Sequence, residues 1–341
     1  MRTSMLARAC AFLAISAGFV FAANGATVTW TGTAGDGKWL TAGNWDTGSV
    51  PASTDAVVIP ANSGTIEYVA SSDFTIASGG SVTLGENVTW KQSSGNSWWK
   101  IQGALTLEKG AQMQIGTCSG TKFESTAVVT LKEGSLIQVK RPNADWEVGT
   151  WNVNGTVELN TSDSESFTAA TAQSLATFLN LGEKGKVTNI KEIQWEGTAE
   201  LSIDGTLSFG GFTAQSKGTR GNNVLTLKKG TYIFQKSTST SLAGIVTYAP
   251  SDTADYGTWV DVPSGAKVEF VFADSSITAA NLFEKINTYS RQGVTATNMI
   301  RQGGAVFATE RAFKKAFSIS GEADGVHVKP KGEKGLVLIV R

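Results

Sequence analysis

One short phrase recurs along the middle of this chain and narrows what it can fold into. It reads as an aliphatic or β-branched residue, Thr or Glu, Leu, two or three polar residues with Gly, and then a second alternating run. It stands as Val82-Thr83-Leu84-Gly85-Glu86-Asn87-Val88 and as Leu105-Thr106-Leu107-Glu108-Lys109-Gly110-Ala111. It returns as Val129-Thr130-Leu131-Lys132-Glu133-Gly134-Ser135 and as Leu225-Thr226-Leu227-Lys228-Lys229-Gly230-Thr231. Val157-Glu158-Leu159 and Leu201-Ser202-Ile203-Asp204-Gly205-Thr206-Leu207 are weaker copies. Each phrase predicts strand, Gly-containing turn and strand, with alternate apolar side chains facing inward.

The markers Leu84, Leu107 and Leu131 are evenly spaced to within one position. Their step, roughly 23–24 residues, suits one rung of a β-solenoid, whose unit cannot bury its apolar face alone and stacks on its neighbours. A sandwich or meander of hairpins also gives two strands per step, at roughly 8–12 residues per strand. The solenoid is the expectation carried forward. The spacing then loosens through Leu159, Leu201 and Leu227, and the longest step runs from Leu159 to Leu201. That step holds the Ala-rich stretch 167–179, with Leu175, Phe178 and Leu179 at helical spacing and Gly182 as a stop, which predicts a short helix inserted between rungs.

After about Ala249 the character changes. Val268-Glu269-Phe270-Val271-Phe272 reads as a strand, and 279–286 as a helix opened by Ser275 or Ser276. The final run, 335–341, reads as a buried strand that closes the last rung, since an open solenoid end exposes unpaired backbone. The expected fold is therefore all-β: a right-handed parallel β-helix (β-solenoid) with short inserted helices and a small C-terminal β-rich cap. The expected organisation is a signal peptide over 1–22, an N-terminal cap and first rungs over 23–80, solenoid repeats over 81–249, and a C-terminal β-rich region over 250–341.

The first segment predicts the compartment. Arg2 and Arg8 precede the nearly continuous apolar run 9–21, which closes on Val20-Phe21-Ala22, a small-residue cleavage pattern. The run is too short for a membrane span, so the mature chain is expected to be secreted or held at the cell surface. Without Arg2 and Arg8, the 29 basic residues fall to 27 against 29 acidic ones. That balance argues against nucleic acid or an anionic membrane as partner. Cys10 leaves with the signal, so Cys118 is a lone mature thiol and no intrachain disulfide forms. Gly is abundant at 38 and Pro scarce at 6, with 17% charged residues, which favours strands and turns over disorder.

A denser signature follows the signal: Thr29-Trp30-Thr31-Gly32, Gly35-Asp36-Gly37-Lys38-Trp39, Asn44-Trp45, Gly48-Ser49-Val50-Pro51 and Asp55-Ala56-Val57-Val58-Ile59. This order resembles the N-terminal motif of secreted bacterial autotransporter-like and extracellular β-helix repeat proteins. The resemblance covers this short segment directly and the repeats only by general pattern. It implies an N-terminal cap and first rung leading into a parallel β-helix, and nothing about activity. The chain departs from autotransporters proper, because the alternating ten-residue segments of a membrane barrel are missing after Ala249. As packing, Trp30, Trp39 and Trp45 can seal the end of a narrow apolar core, while Asn44 and Asp55 bond backbone groups the first rung leaves unpaired. A Trp-lined sugar site is the functional alternative.

Chemistry is sparse. His327 is the only histidine, in the alternating run Gly325-Val326-His327-Val328, which excludes multi-His metal sites and most histidine relays. One His and one mature Cys argue against zinc, so no cofactor and no metal are expected. Carboxylate chemistry would need acids converging on one face. Asp145 and Glu147, flanking Trp146, form the best candidate cluster, and acids two apart on a solvated strand are common. Glu108, Lys109, Lys132, Glu133, Lys228 and Lys229 are expected in solvated turns. Trp98 and Trp99 are adjacent on an expected strand, so only one can point inward. The other, beside Trp90 or Trp151, would form a platform for glycan stacking or protein docking. The candidate ligand-binding residues are thus Trp98, Trp99 and Trp146. The expected function is an exported structural or adhesin-like protein without catalytic activity, meeting polysaccharide, cell-envelope or matrix components. The alternatives are an extracellular glycan-binding protein and, less favoured, a carboxylate-dependent polysaccharide lyase or hydrolase.

Overall fold

The computed structural model describes residues 25–69, 72–94, 98–116, 120–124, 126–139, 150–159, 179–190, 193–195, 198–209, 212–215, 223–234, 246–249, 258–291, 294–297, 300–305 and 307–331. The repeated phrases stack as a parallel β-solenoid with sheets on successive faces. Sheet I takes the first strand of each of the earlier rungs: Thr27–Thr29, Ala56–Ile59, Ser81–Leu84, Ala104–Leu107, Val128–Leu131, Thr150–Val153 and Leu179–Leu181. Sheet II takes the second, from Thr65–Val69 through Thr89–Ser94, Gln112–Ile115, Leu136–Val139, Thr156–Leu159, Lys186–Ile190, Thr198–Phe209 and Asn223–Phe234 to Lys267–Phe272. A third strand in the earlier rungs forms sheet III, from Phe74–Ile76, Trp98–Ile101 and Gly120–Phe123.

The marker leucines stack as their spacing requires: Leu84 lies opposite Leu107, and Leu107 opposite Leu131. From Leu131, however, the ladder runs to Val153 and then to Leu181. Leu159 belongs to sheet II, opposite Val139. The uneven steps through Leu159 thus mixed two faces, because a period-2 pattern is the same on every sheet and does not say which one a strand joins.

The turn between sheets I and II keeps one geometry through the first four rungs. The residue three past each sheet I marker, Asn62, Asn87, Gly110 or Gly134, sits in the left-handed region at φ 58°, 59°, 72° and 74°. Gly adopts that region without cost and Asn tolerates it better than most residues. Inward side chains from Val28 to Val328 form one buried cluster. Alternation is strict where the rungs are most regular: in Ala104–Leu107, Gln112–Ile115 and Val128–Leu131 every second residue is buried.

Residues 167–178 of the expected inserted helix lie outside the described residues. Its last residue, Leu179, is instead in a strand paired in parallel with Trp151. Lys228 and Lys229 are not in a turn either. They lie inside the 12-residue strand Asn223–Phe234, which pairs along Thr198–Phe209 through register shifts that replace the turn. There Lys228 pairs with Glu200, and Lys229 with Asp204.

The parallel ladder does not stop near Ala249. Thr258–Asp261 and Lys267–Phe272 both pair with Asn223–Phe234. Thr258–Asp261 continues in parallel to Ile300–Arg301, whereas at Phe270–Phe272 Gly325–Pro330 joins antiparallel and Phe317–Glu322 follows by a hairpin. An antiparallel hairpin occupies the edge that a further rung would otherwise extend. The expected helix over 279–286 begins later, as Leu282–Asn287. Thr278, not Ser275 or Ser276, opens it: Asn281 N–H donates to the Thr278 hydroxyl and Thr278 N–H donates to Asn281 Oδ1. A second helix, Glu310–Ala316, is capped by Thr309 and packs Phe313 against Phe283, Phe307 and Phe317. The expected strand 335–341 lies outside the described residues.

Candidate functional site

The N-terminal end is closed by the three tryptophans of the opening motif. Trp30, Trp39 and Trp45 are buried. Trp45 meets Trp30 edge-on at 5.0 Å and Trp39 at 4.8 Å, and Trp39 stacks on Trp90 of the first rungs at 4.8 Å. The backbone edge is covered as well. Thr27–Thr29 pairs with Ala56–Val58, while Trp39 N–H donates to Glu67 O and Glu67 N–H to Gly37 O. Asn44, fully buried, accepts from Ala34 N–H and donates to Asp36 and to Lys38 O. Asp55 accepts from the N–H groups of Ala26 and Ala52. Asp36 receives Thr41 Oγ1–H, Lys38 N–H and Asn44, and these bonds hold its carboxyl down at about 2. This is an end cap built from aromatic packing and backbone satisfaction.

Trp98 and Trp99 divide as alternation requires. Trp99 is fully enclosed, 4.7 Å from Trp90 and 4.8 Å from Phe74, and presents no face to solvent. Trp98 points outward and is half-buried. The neighbours expected to extend a platform do not, because Trp90 and Trp151 both occupy inward strand positions, Trp151 against Phe123 at 4.7 Å. Trp98 instead lies opposite Gly120, which leaves the adjoining outer position without a side chain. Thr75, Lys100 and Lys122 form the parallel outer row of sheet III. Asp73 accepts from Trp98 N–H at 3.0 Å and from Lys100 Nζ at 2.8 Å, and the Lys100 bond holds its carboxyl below the usual range.

Sheet III ends at Phe74–Ile76 with no strand beyond it among the described residues. At that edge lies a cavity of about 300 Å³, lined by Trp39, Leu40, Asp55, Tyr68, Asp73 and Phe74 among others. Asp73 thus borders the cavity and holds the backbone of Trp98. An outward indole, a carboxylate–ammonium pair and a hydroxyl beside a concavity can receive a ring with one apolar face and polar edges. Sequence reading singled out Trp98 and missed Asp73 and Lys100. Asp73 is 25 residues before Trp98, one rung apart, and that spacing was the available signal.

Near the other end, His327 is buried on Gly325–Pro330. Its Nδ1 lies 2.6 Å from Glu269 Oε1, and its Nε2 lies 2.8 Å from Asp324 Oδ1 and 3.8 Å from Glu322 Oε2. Lys329 Nζ reaches the same Glu269 oxygen at 2.9 Å. The Glu269 bond raises the His327 pKa above its ordinary value; burial opposes this and Asp324 adds to it. Burial pushes the Glu269 carboxyl up, but His327 and Lys329 outweigh it and hold it low.

Trp146, Asp145, Glu147, Cys118 and the segment 1–22 lie outside the described residues. Among the described residues no helix is long and apolar enough to cross a membrane. Comparison of the chain with family models, curated proteins and solved structures finds no match.

Proposed function

We propose that this chain is an exported, non-catalytic solenoid of structural or adhesin-like kind, offering its outer faces to a cell surface, matrix or polysaccharide. The observation that carries this reading is the order of the outward rows. Thr83, Thr106, Thr130, Asn152 and Asn180 lie in register along sheet I. On sheet II, Glu67 pairs with Lys91 at 2.7 Å and Gln138 donates to Glu158 at 3.2 Å. Small hydroxyls and mutually satisfied charges make stiff, solvated faces. The carboxylates on these rows are matched with amines and amides, whereas hydrolysis or elimination needs acids aimed at a common reacting atom.

A second reading is favoured by one feature: Trp98 beside the Asp73–Lys100 pair and the cavity at the edge of sheet III. It supports glycan binding through ring stacking with polar contacts at its rim. The test is retention of the mature protein on a panel of insoluble polysaccharides, with assay of the supernatant for reducing or unsaturated ends. Retention lost in Trp98→Ala, with an unchanged far-ultraviolet spectrum, places the site on sheet III. Released ends would overturn the non-catalytic reading. Absence of retention on any polysaccharide would remove the glycan reading and leave the structural one, for which surface fractionation of producing cells is the test.

A further inference from the structure

The hairpin that closes the solenoid carries a second constellation. Glu322 ends the strand Phe317–Glu322, Asp324 lies in the turn, and His327 is on the returning strand Gly325–Pro330. One ligand-type atom from each lies within 4.8 Å of the other two. His327 is nine-tenths buried and fixed from behind by Glu269, on the separate strand Lys267–Phe272. An ionised Glu269 only accepts, so the 2.6 Å contact puts a proton on Nδ1. Nε2 then faces two carboxylates. A bare lone pair 2.8 Å from Asp324 Oδ1 would be acceptor against acceptor, so this position demands a cation: a second proton, or a metal ion.

We infer that Glu322, Asp324 and His327 Nε2 form a binding site for a divalent transition ion of the zinc type. Three arguments converge. The first is distance: an ion with ligands at about 2.0–2.2 Å in tetrahedral array needs donor atoms roughly 3.3 Å apart. The Nε2 separations here, 2.8 and 3.8 Å, bracket that value, and the side chains that must adjust are exposed by 51% and 68%. The second is the outer contact: a metal-ligating histidine commonly donates its other N–H to a carboxylate, which fixes its tautomer and direction. Glu269 has that place, itself held by Lys329, and Ser320 Oγ donates to the Glu322 oxygen Oε1. The third is charge. Glu269, Glu322 and Asp324 carry three negatives against Lys329, so a divalent ion with neutral His327 balances the group, whereas the imidazolium alone leaves one net negative charge. One imidazole nitrogen with two carboxylates suits zinc or cobalt, while calcium and magnesium prefer oxygen alone. The fourth position opens to solvent, and an ion there ties the hairpin turn, through His327 and Glu269, to the parallel strand Lys267–Phe272.

The test uses the whole mature chain, stripped with chelator and dialysed, titrated calorimetrically with Zn²⁺ alone at pH 7.5. The expected result is one ion per chain with micromolar affinity, and a visible d–d band of low-coordinate Co²⁺ when cobalt is used instead. Glu322→Gln with Asp324→Asn changes only exposed side chains and keeps the fold; it should weaken binding at least a hundredfold and abolish the cobalt band. Glu269→Gln should weaken binding by about 10–100-fold. No stoichiometric Zn²⁺ binding by the wild type, or equal binding by the double variant, would overturn the inference.

Discussion

Removal of Trp39 is the sharpest test of the end cap. Its indole is 2% exposed, stacked on Trp90 and in edge contact with Trp45 and Phe74. An aromatic side chain of this kind buries about 150–250 Å². At about 25 cal/mol per Å² that corresponds to roughly 4–6 kcal/mol, an upper bound because the unfolded chain already hides part of the area. Measured aromatic-to-alanine losses in cores are about 3–5 kcal/mol. The end of a solenoid can relax more than its middle, so Trp39→Ala should lose about 3 kcal/mol. Stability in a stacked array is carried by each rung and its neighbours, so the loss should be local. The backbone bonds of Trp39, to Glu67 O and from Trp45 Nε1, do not need its side chain and remain. Native-state hydrogen exchange read by peptide mass is the assay. Amides of Ala56–Ile59 and Thr65–Val69 should exchange roughly a hundredfold faster at about 1.4 kcal/mol per factor of ten, while those of Val128–Leu131 and Leu136–Val139 keep their protection. Less than a tenfold change in the first rung, or an equal loss in the later rungs, would refute the cap.

Other outcomes follow from corners and charges. Gly103 sits where a Cβ would lie 2.2 Å from Gly80 O and 2.4 Å from Ala77 O, both backbone atoms of the preceding rung. Gly103→Ala should therefore cost about 3 kcal/mol or more in thermal unfolding, whereas Gly35→Ala, at φ +71° with open space around it, should cost only about 1 kcal/mol. Equal losses would mean that the rungs are not in close contact at that corner. The Asp36 carboxyl is held at about 2 in the fold against an ordinary 3.8. Its contribution is therefore complete above about pH 4 and is lost as pH falls toward 2. Tryptophan emission from the cap should report loosening in that window, and Asp36→Asn should remove the acid transition; an unchanged transition would count against the Thr41, Lys38 and Asn44 bonds as its cause.

The regular rungs were legible because each even step between marker leucines carries the same three instructions: alternating apolar residues, a polar turn, and Gly or Asn where the chain turns left-handed. The cap was legible for a similar reason, since three tryptophans and two side-chain acceptors fall within one short segment that has nowhere else to bury them. Reading failed where sheets share a pattern. Leu159 and the lysines at 228 and 229 follow the phrase locally, yet their pairing is set by which neighbouring strand is already in place. The platform around Trp98 failed likewise, because Trp90 and Trp151 were assigned by type while inward or outward is set by register. The His327 group was invisible to spacing rules, since Glu269 is 58 residues away.

For this protein the sequence alone determined the repeat length, the strand-and-turn alphabet and the apolar end seal, because these depend on residues within one rung. Tertiary structure alone decided which face each strand joins, where the parallel ladder gives way to an antiparallel hairpin, and which charges meet across rungs. Those outcomes depend on the stacking of one rung on the next, and a strand of period 2 carries no record of the neighbour it will meet.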